Sequence, residues 1–251
     1  MFTEARQPKP EGHRMKWRSL EELKPDSYLR PLREILSERQ DSITKYVPAE
    51  TQAIHARAIA DLKARNLAAQ ILPVGATLPA FELQNQDGET ISSAGLLTNR
   101  LVLLFFRGRW CPFCVAQLEA MNQTLPALAA AGASLVGISP QTAKQSYFMR
   151  DQHRLRFPLL ADPGNRLARQ FGLTYPVPDA QKSIYQRSFV NLPLVNGDDS
   201  WELPIPATYI LDGDGVVLYA SSNEDHRVRP EPLEILDFVR AGYPCPLPPS
   251  L

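Results

Sequence analysis

Residues 101–118 read LVLLFFRGRWCPFCVAQL, and the fold turns on how this stretch is divided. Leu101–Phe106 is a continuous apolar run of six residues. It is too short for a buried helix, and its flanks suit a strand covered on both faces. A helix is expected from about Pro112 to Ala130, with Val115, Leu118, Met121, Leu125 and Leu128 on one stripe and Pro126 placed to kink or end it. Cys111 then falls at the N-cap and Pro112 at the first helical position, where the missing N–H would have had no partner anyway. Cys114 lies in the first turn. Side chains three apart share a helix face, so the two sulfurs can meet.

Unpaired N–H groups and the positive end of the helix dipole favour a thiolate at such a place. Arg107 and Arg109 add positive charge nearby. Surroundings of this kind lower a cysteine pKa from ~8.5 toward ~3.5–7.5, which makes the sulfur a nucleophile. Two inert structural cysteines would not need this setting. A zinc site would need two more ligands. His55, His153, His226 and Cys245 are scattered without paired spacing. The pair is therefore read as redox-active.

Working outward, Ala133–Ser139 (ASLVGIS) reads as a strand, Thr142–His153 as a helix, Phe157–Leu160 as a short strand and Asn165–Phe171 as a helix ending near Gly172. Upstream, Phe81–Leu83 and Thr90–Ile91 flank Asp87-Gly88, a hairpin signal. Downstream, Thr208–Leu211 and Val216–Ala220 flank Asp212-Gly213-Asp214-Gly215. A calcium loop fails there because position 216 is Val, so a hairpin turn is the better reading. Pro176–Leu203 reads as a loop insertion with room for a short helix, and Pro232–Arg240 as a final helix. Strands alternating with helices, closed by a hairpin and a helix, imply an α/β/α sandwich around a mixed central sheet.

The expected organisation is a loose arm (1–26), a helical N-terminal extension (27–71), a main α/β domain (72–243) and a proline-rich tail (244–251). The extension is expected to pack on the main domain or on a second copy, forming a homodimer. Lys+Arg and Asp+Glu are equal at 27 each, which gives no electrostatic case for nucleic acid or an anionic membrane. Met1–Lys16 has no apolar core of a secretory signal, and no apolar run reaches about 18 residues, so a cytoplasmic location is expected. In a reducing compartment a close cysteine pair is more often catalytic or metal-binding than structural. Cys245 reads as a free surface thiol. Arg150, Arg154 and Arg156 read as a solvated helix face. His226, Arg227 and Arg229 follow the closing hairpin, in a loop within reach of the site.

Several of these segments, in order, are similar to peroxiredoxins of the alkyl hydroperoxide reductase/thiol-specific antioxidant family. Leu101–Leu118 resembles that family's active-site strand and helix. Pro73–Leu83 (PVGATLPAFEL), Val136–Ser139, Phe157–Gly172 (FPLLADPGNRLARQFG) and Ala207–Val217 (ATYILDGDGVV) resemble flanking segments, covering roughly 72–240. The resemblance implies a thioredoxin-like fold and peroxidase chemistry without metal or organic cofactor. It sets Cys114 at the peroxidatic position. It also sets Cys111 where the family has Thr, Arg107 where it has Pro, and Pro206 where it has a later Arg.

Trp110-Cys111-x-x-Cys114 instead resembles the thioredoxin active-site pattern, and Pro206 resembles the cis-proline loop that faces it. The chain resembles a peroxiredoxin-like subgroup carrying C-x-x-C. The implied chemistry is hydroperoxide reduction through a Cys114 sulfenic acid and a Cys111–Cys114 disulfide, recycled by thioredoxin or a similar dithiol, with Trp110, Arg107, Arg109 and Pro206 in support. Two alternatives stay open. One is thiol–disulfide exchange on a disulfide substrate with Cys111 as nucleophile. The other is a redox-sensing binding protein.

Overall fold

A computed structural model describes residues 30–188 and 190–241. The expected arm 1–26, the tail 244–251 and Cys245 lie outside the described residues. The strand expected at Leu101–Phe106 is β3, Arg100–Phe105. Its neighbours in the sheet are β4 (Ala133–Ser139), parallel to it, and β8 (Ala207–Leu211), antiparallel. Outward from these lie β5 (Leu159–Ala161), the hairpin of β1 (Glu82–Asn85) and β2 (Thr90–Ser92), and on the other edge β9 (Val217–Ser222). The order is β2-β1-β5-β4-β3-β8-β9, a seven-stranded mixed sheet.

Side chains alternate across a strand, and β3 uses both faces. Val102 and Leu104, with the following Phe106, pack with α4 (Pro112–Ala130), α5 (Ala143–His153) and α9 (Pro232–Ala241). Leu101, Leu103 and Phe105 pack on the other face with Leu167 and Ala168 of α6 (Arg166–Gln170) and with Phe171. On that face Phe105, Phe171 and Tyr209 form a ring cluster, with centroids 4.7 to 6.1 Å apart. The expected sandwich is thus present: helices cover both faces of a mixed sheet.

N-terminal to the sheet run α1 (Leu32–Tyr46) and α2 (Ala49–Ala64), then a 3-10 turn at Leu67–Gln70, while the short α3 (Ser93–Leu96) follows β2. Leu32 and Leu36 are buried in the core beside α4, and Leu62 and Leu67 in the core on the opposite face. Pro31 cannot cap α1 with a side chain. The Glu231 carboxylate does so instead, accepting from the Leu32 and Arg33 amides at 2.7 and 2.9 Å. Gly172 shows how closely the segment after α2 is laid on. Its φ is +70°, and a Cβ there would stand 2.5 Å from the Gln70 carbonyl oxygen.

Two sequence expectations need correction. Pro126 does not end α4, which continues to Ala130. Proline removes the hydrogen bond to the carbonyl four residues back. That carbonyl, on Asn122, accepts instead from Arg156 Nη2 at 3.1 Å, so the helix loses little. Pro176–Leu203 is not a loop with one short helix. It holds α7 (Asp179–Arg187), α8 (Leu192–Asn196) and the ends of a two-stranded sheet, β6 (Thr174–Pro176) with β7 (Glu202–Pro204). Gln181, Ile184 and Tyr185 form one buried face of α7. Asn191 caps α8 by accepting from the Leu194 amide, and Gly197 ends it in the left-handed region. The Asp212–Gly215 turn is a hairpin, its Asp212 carboxylate accepting from the Asp214 and Val216 amides.

Candidate active site

The C-x-x-C turn lies where β3 hands over to α4. Cys111 has φ −90° and ψ 110°, Pro112 follows as the first helical residue, and Cys114 sits in the first turn. Both sulfurs are buried: Cys111 is 1% exposed and Cys114 not at all. The lead-in is pinned by Gln141, itself fully buried, whose Oε1 accepts from the Arg109 amide at 2.9 Å.

The two thiols are hydrogen-bonded to each other and differ in proton affinity. Burial alone would raise the Cys114 pKa. The Cys111 hydrogen bond, the Arg229 and Arg107 charges and the Arg107 amide overcome it and bring Cys114 down to about 5. Burial, together with the hydrogen bond to Cys114, pushes the Cys111 thiol well up. Near neutral pH the pair is a Cys114 thiolate accepting from a Cys111 thiol.

Of the sequence-predicted supports, Arg107 belongs to this arrangement. It is 3% exposed, donates from Nη2 to the Tyr185 hydroxyl, and lies 4.7 Å from the centre of the Trp110 ring. A cation so deeply buried needs compensation. Among the described residues it finds this in the indole, the Tyr175 and Tyr185 hydroxyls and the thiolate. Trp110 packs edge-on against Tyr185 at 5.1 Å. Its indole also rests over Gly108, whose φ is +145°; a Cβ there would stand 2.6 Å from the indole nitrogen. Arg109 is directed elsewhere, donating from Nε to Gln145 at 2.6 Å. Pro206 is buried at the start of β8, beside the end of β3, and its carbonyl accepts from the Ser222 hydroxyl at 2.8 Å.

Gln117 and Tyr185 carry no reading in the sequence, His55 is weighed there only as a zinc ligand, Arg229 only as a loop residue within reach of the site, and His226 as both. Arg229 Nη2 reaches the Cys114 sulfur at 3.8 Å, while its Nε donates to Gln117 Oε1 at 2.8 Å. Gln117, on α4, in turn donates to the Thr208 hydroxyl on β8 at 3.3 Å. Tyr185 comes from α7, and His55, on α2, is 2.9 Å from the Gln181 side chain. His226 stacks edge-on against Phe113 at 5.5 Å. Burial, then the Arg107 and Arg229 charges, push its pKa well down, so it is neutral near pH 7.

A cavity of about 440 Å3 opens on this cluster. Arg107, Trp110 and Cys111 line it, together with His55 and Ile59 of α2 and Tyr185 of α7. Cys114 is not among its lining residues.

The family model described as "AhpC/TSA family" matches residues 74–220, more than half the chain. The chain belongs to the AhpC/TSA family, as a peroxiredoxin-like protein of the thioredoxin superfamily. Peroxiredoxin Q, chloroplastic, of Triticum aestivum is 30% identical over 150 residues, which is 60% of this chain and 59% of the wheat protein. The chain thus aligns with about three fifths of that relative's length. A putative peroxiredoxin of Mycobacterium tuberculosis is 28% identical over 152 residues, covering 61% of this chain and 86% of the relative.

Among solved structures, peroxidoxin BcpB from M. tuberculosis superposes with a TM-score of 0.55 at 23% identity, over 69% of this chain and all but 1% of its own, the match covering 99% of it. AhpC of Enterococcus faecalis gives 0.53 at 17% identity, over 67% of this chain and 90% of its own. These likenesses establish the thioredoxin-like fold. Among the described residues no helix is long and apolar enough to cross a membrane.

Proposed function

We propose that this chain is a thiol-dependent peroxidase that reduces hydrogen peroxide or organic hydroperoxides, with Cys114 as the attacking sulfur. The observation that carries the reading is the polarity of the pair: Arg229, Arg107 and the Cys111 thiol all converge on Cys114. The Cys114 thiolate attacks the terminal hydroperoxide oxygen. An S–O bond forms as the O–O bond breaks, and the departing oxygen leaves as water or an alcohol after taking a proton. Cys114 becomes a sulfenic acid. Cys111 then attacks that sulfur, its proton and the hydroxide leaving as water, and a Cys111–Cys114 disulfide closes. An external thiol reductant restores both thiols by exchange.

Arg229 and Arg107 supply positive charge beside the reacting sulfur, a role Pro206 cannot take. The likeness to peroxiredoxin Q proteins supports the reading, as does the helix start beneath the pair. The working division is a helical extension (27–71) on a peroxidase body (72–243), acting in the cytoplasm.

One observation favours a second reading. Cys111, and not Cys114, lines the cavity, as a nucleophile toward substrate disulfides would. Cys111→Ser and Cys114→Ser variants separate the two. Under the peroxidase reading Cys111→Ser still forms a sulfenic acid at Cys114 when treated with peroxide. Substrate reactivity retained only in Cys114→Ser would overturn it.

A further inference from the structure

We propose that the disulfide is reduced by a low-molecular-weight thiol that enters the cavity between α2, α7 and the C-x-x-C turn and attacks the Cys111 sulfur. This rests on the peroxidase reading insofar as that reading supplies the disulfide. The family resemblance implies a thioredoxin-type protein dithiol; the cavity argues for something smaller.

The direction of attack follows from position. Of the two sulfurs, Cys111 lines the cavity, whereas Cys114 is fully buried and does not. Thiol–disulfide exchange needs the incoming thiolate, the attacked sulfur and the leaving sulfur roughly in line. Attack on Cys111 from the cavity pushes the electron pair onto Cys114. That sulfur is the better leaving group, because Arg229 and Arg107 already stabilise its thiolate. The first step is RS⁻ plus the Cys111–Cys114 disulfide giving a mixed disulfide RS–S–Cys111 and the Cys114 thiolate. A second RS⁻ attacks the R-side sulfur, giving RSSR and the Cys111 thiolate, which takes a proton. Two thiols are oxidised and one disulfide is reduced.

The size limit comes from the lining. Cys111 is 1% exposed and lines a space of about 440 Å3, within the range of small-molecule sites. His55 and Ile59 of α2 and Ile184 and Tyr185 of α7 line the same space. A folded protein would have to pass a backbone loop between two helices to bring its thiolate to that sulfur. The lining also offers unmet polarity: the buried Arg107 Nε and Trp110 Nε1 have no hydrogen-bond partner among the described residues. A buried donor left unpaired costs free energy, which an occupant with an amide or carboxylate acceptor would relieve. The reductant's class is therefore a small amide- or carboxylate-bearing thiol.

The test uses the full chain, oxidised with a chemical disulfide-forming agent so that it does not depend on peroxide. Reduction is followed by intrinsic tryptophan fluorescence, to which Trp110 beside the pair contributes, with glutathione, and separately with reduced thioredoxin at equal thiolate concentration. The expected result is a rate that saturates with glutathione and exceeds that with thioredoxin. Faster reduction by thioredoxin, or a rate linear in glutathione throughout, overturns the proposal. Independently, Cys114→Ser treated with glutathione disulfide is expected to carry glutathione on Cys111 by mass; an unmodified Cys111 overturns it. Ala56→Trp, which narrows the cavity, is expected to raise the half-saturating glutathione concentration at least tenfold, with folding checked by circular dichroism. No shift in a folded variant places the thiol elsewhere. Failure of peroxide to form the disulfide would sink the peroxidase reading alone.

Discussion

Arg229 Nη2 stands 3.8 Å from the Cys114 sulfur although 115 residues separate them. The same guanidinium is oriented by Gln117, one turn of α4 beyond Cys114, so the arginine and the thiolate are referenced to one helix. A charged hydrogen bond of this kind contributes roughly 1.5–3 kcal/mol. Arg229→Ala is therefore expected to raise the Cys114 pKa and to slow sulfenic acid formation roughly tenfold or more. Arg229→Lys should recover part of the loss. Ultraviolet thiolate absorbance against pH and stopped-flow oxidation check both effects. An unaltered titration in Arg229→Ala would remove the arginine from the mechanism.

The pH dependence follows from the sign of the Cys114 shift. Its folded pKa is depressed to about 5, below the ~8.5 of an ordinary thiol. The reactive thiolate is therefore present above about pH 5, so the oxidation rate should be flat from neutral pH upward and fall only as pH drops toward 5. The linked stability has the same sign: present above the unfolded value and lost as pH falls through the folded one. Reduced wild type should lose its advantage over Cys114→Ser across that window in denaturant titrations. A rate still climbing between pH 7 and 8 would contradict this.

Tyr185→Phe removes the hydroxyl that accepts from buried Arg107. A buried guanidinium left with one acceptor fewer costs about 1–3 kcal/mol. The unfolding midpoint in urea should fall with the slope unchanged. Peroxide oxidation should also slow, because Arg107 is one of the charges on Cys114.

Gly108→Ala sets a Cβ against the Trp110 indole in a backbone region that side chains rarely adopt. The indole must move, and with it the aromatic face over which Arg107 lies. The expected signature is a shifted tryptophan emission spectrum in the reduced protein together with slower oxidation. An unchanged spectrum would show that the ring is not held as described.

The elements legible in sequence were those whose cause is local. Leu101–Phe106 could be read because a short apolar run between Arg100 and Arg107 suits a strand buried on both faces. The C-x-x-C turn could be read because Pro112 and the stripe from Val115 to Leu128 announce a helix start. The region from Pro176 to Leu203 misled because Pro176, Pro178 and Asn196-Gly197 are loop signals that here serve as boundaries. Pro178 precedes α7 and Gly197 ends α8. Tyr185 and Gln117 carry no local mark, and Arg229 shows only as one charge of a basic loop after the closing hairpin, since their roles arise only when distant segments pack over one helix start. Arg107 and Arg109 look equivalent in sequence, yet the first is buried beside the thiolate and the second bonds to Gln145.

Glu231 holds the amide ends of α1 two residues after Arg229 leaves the thiolate. One short loop is thus moored at both a reactive sulfur and the first helix of the chain. Pruning the N-terminal helices would do more than open the cavity: it would cast off that mooring and let the arginine drift from its sulfur. In this molecule the appended helices and the charge beside Cys114 stand or fall together.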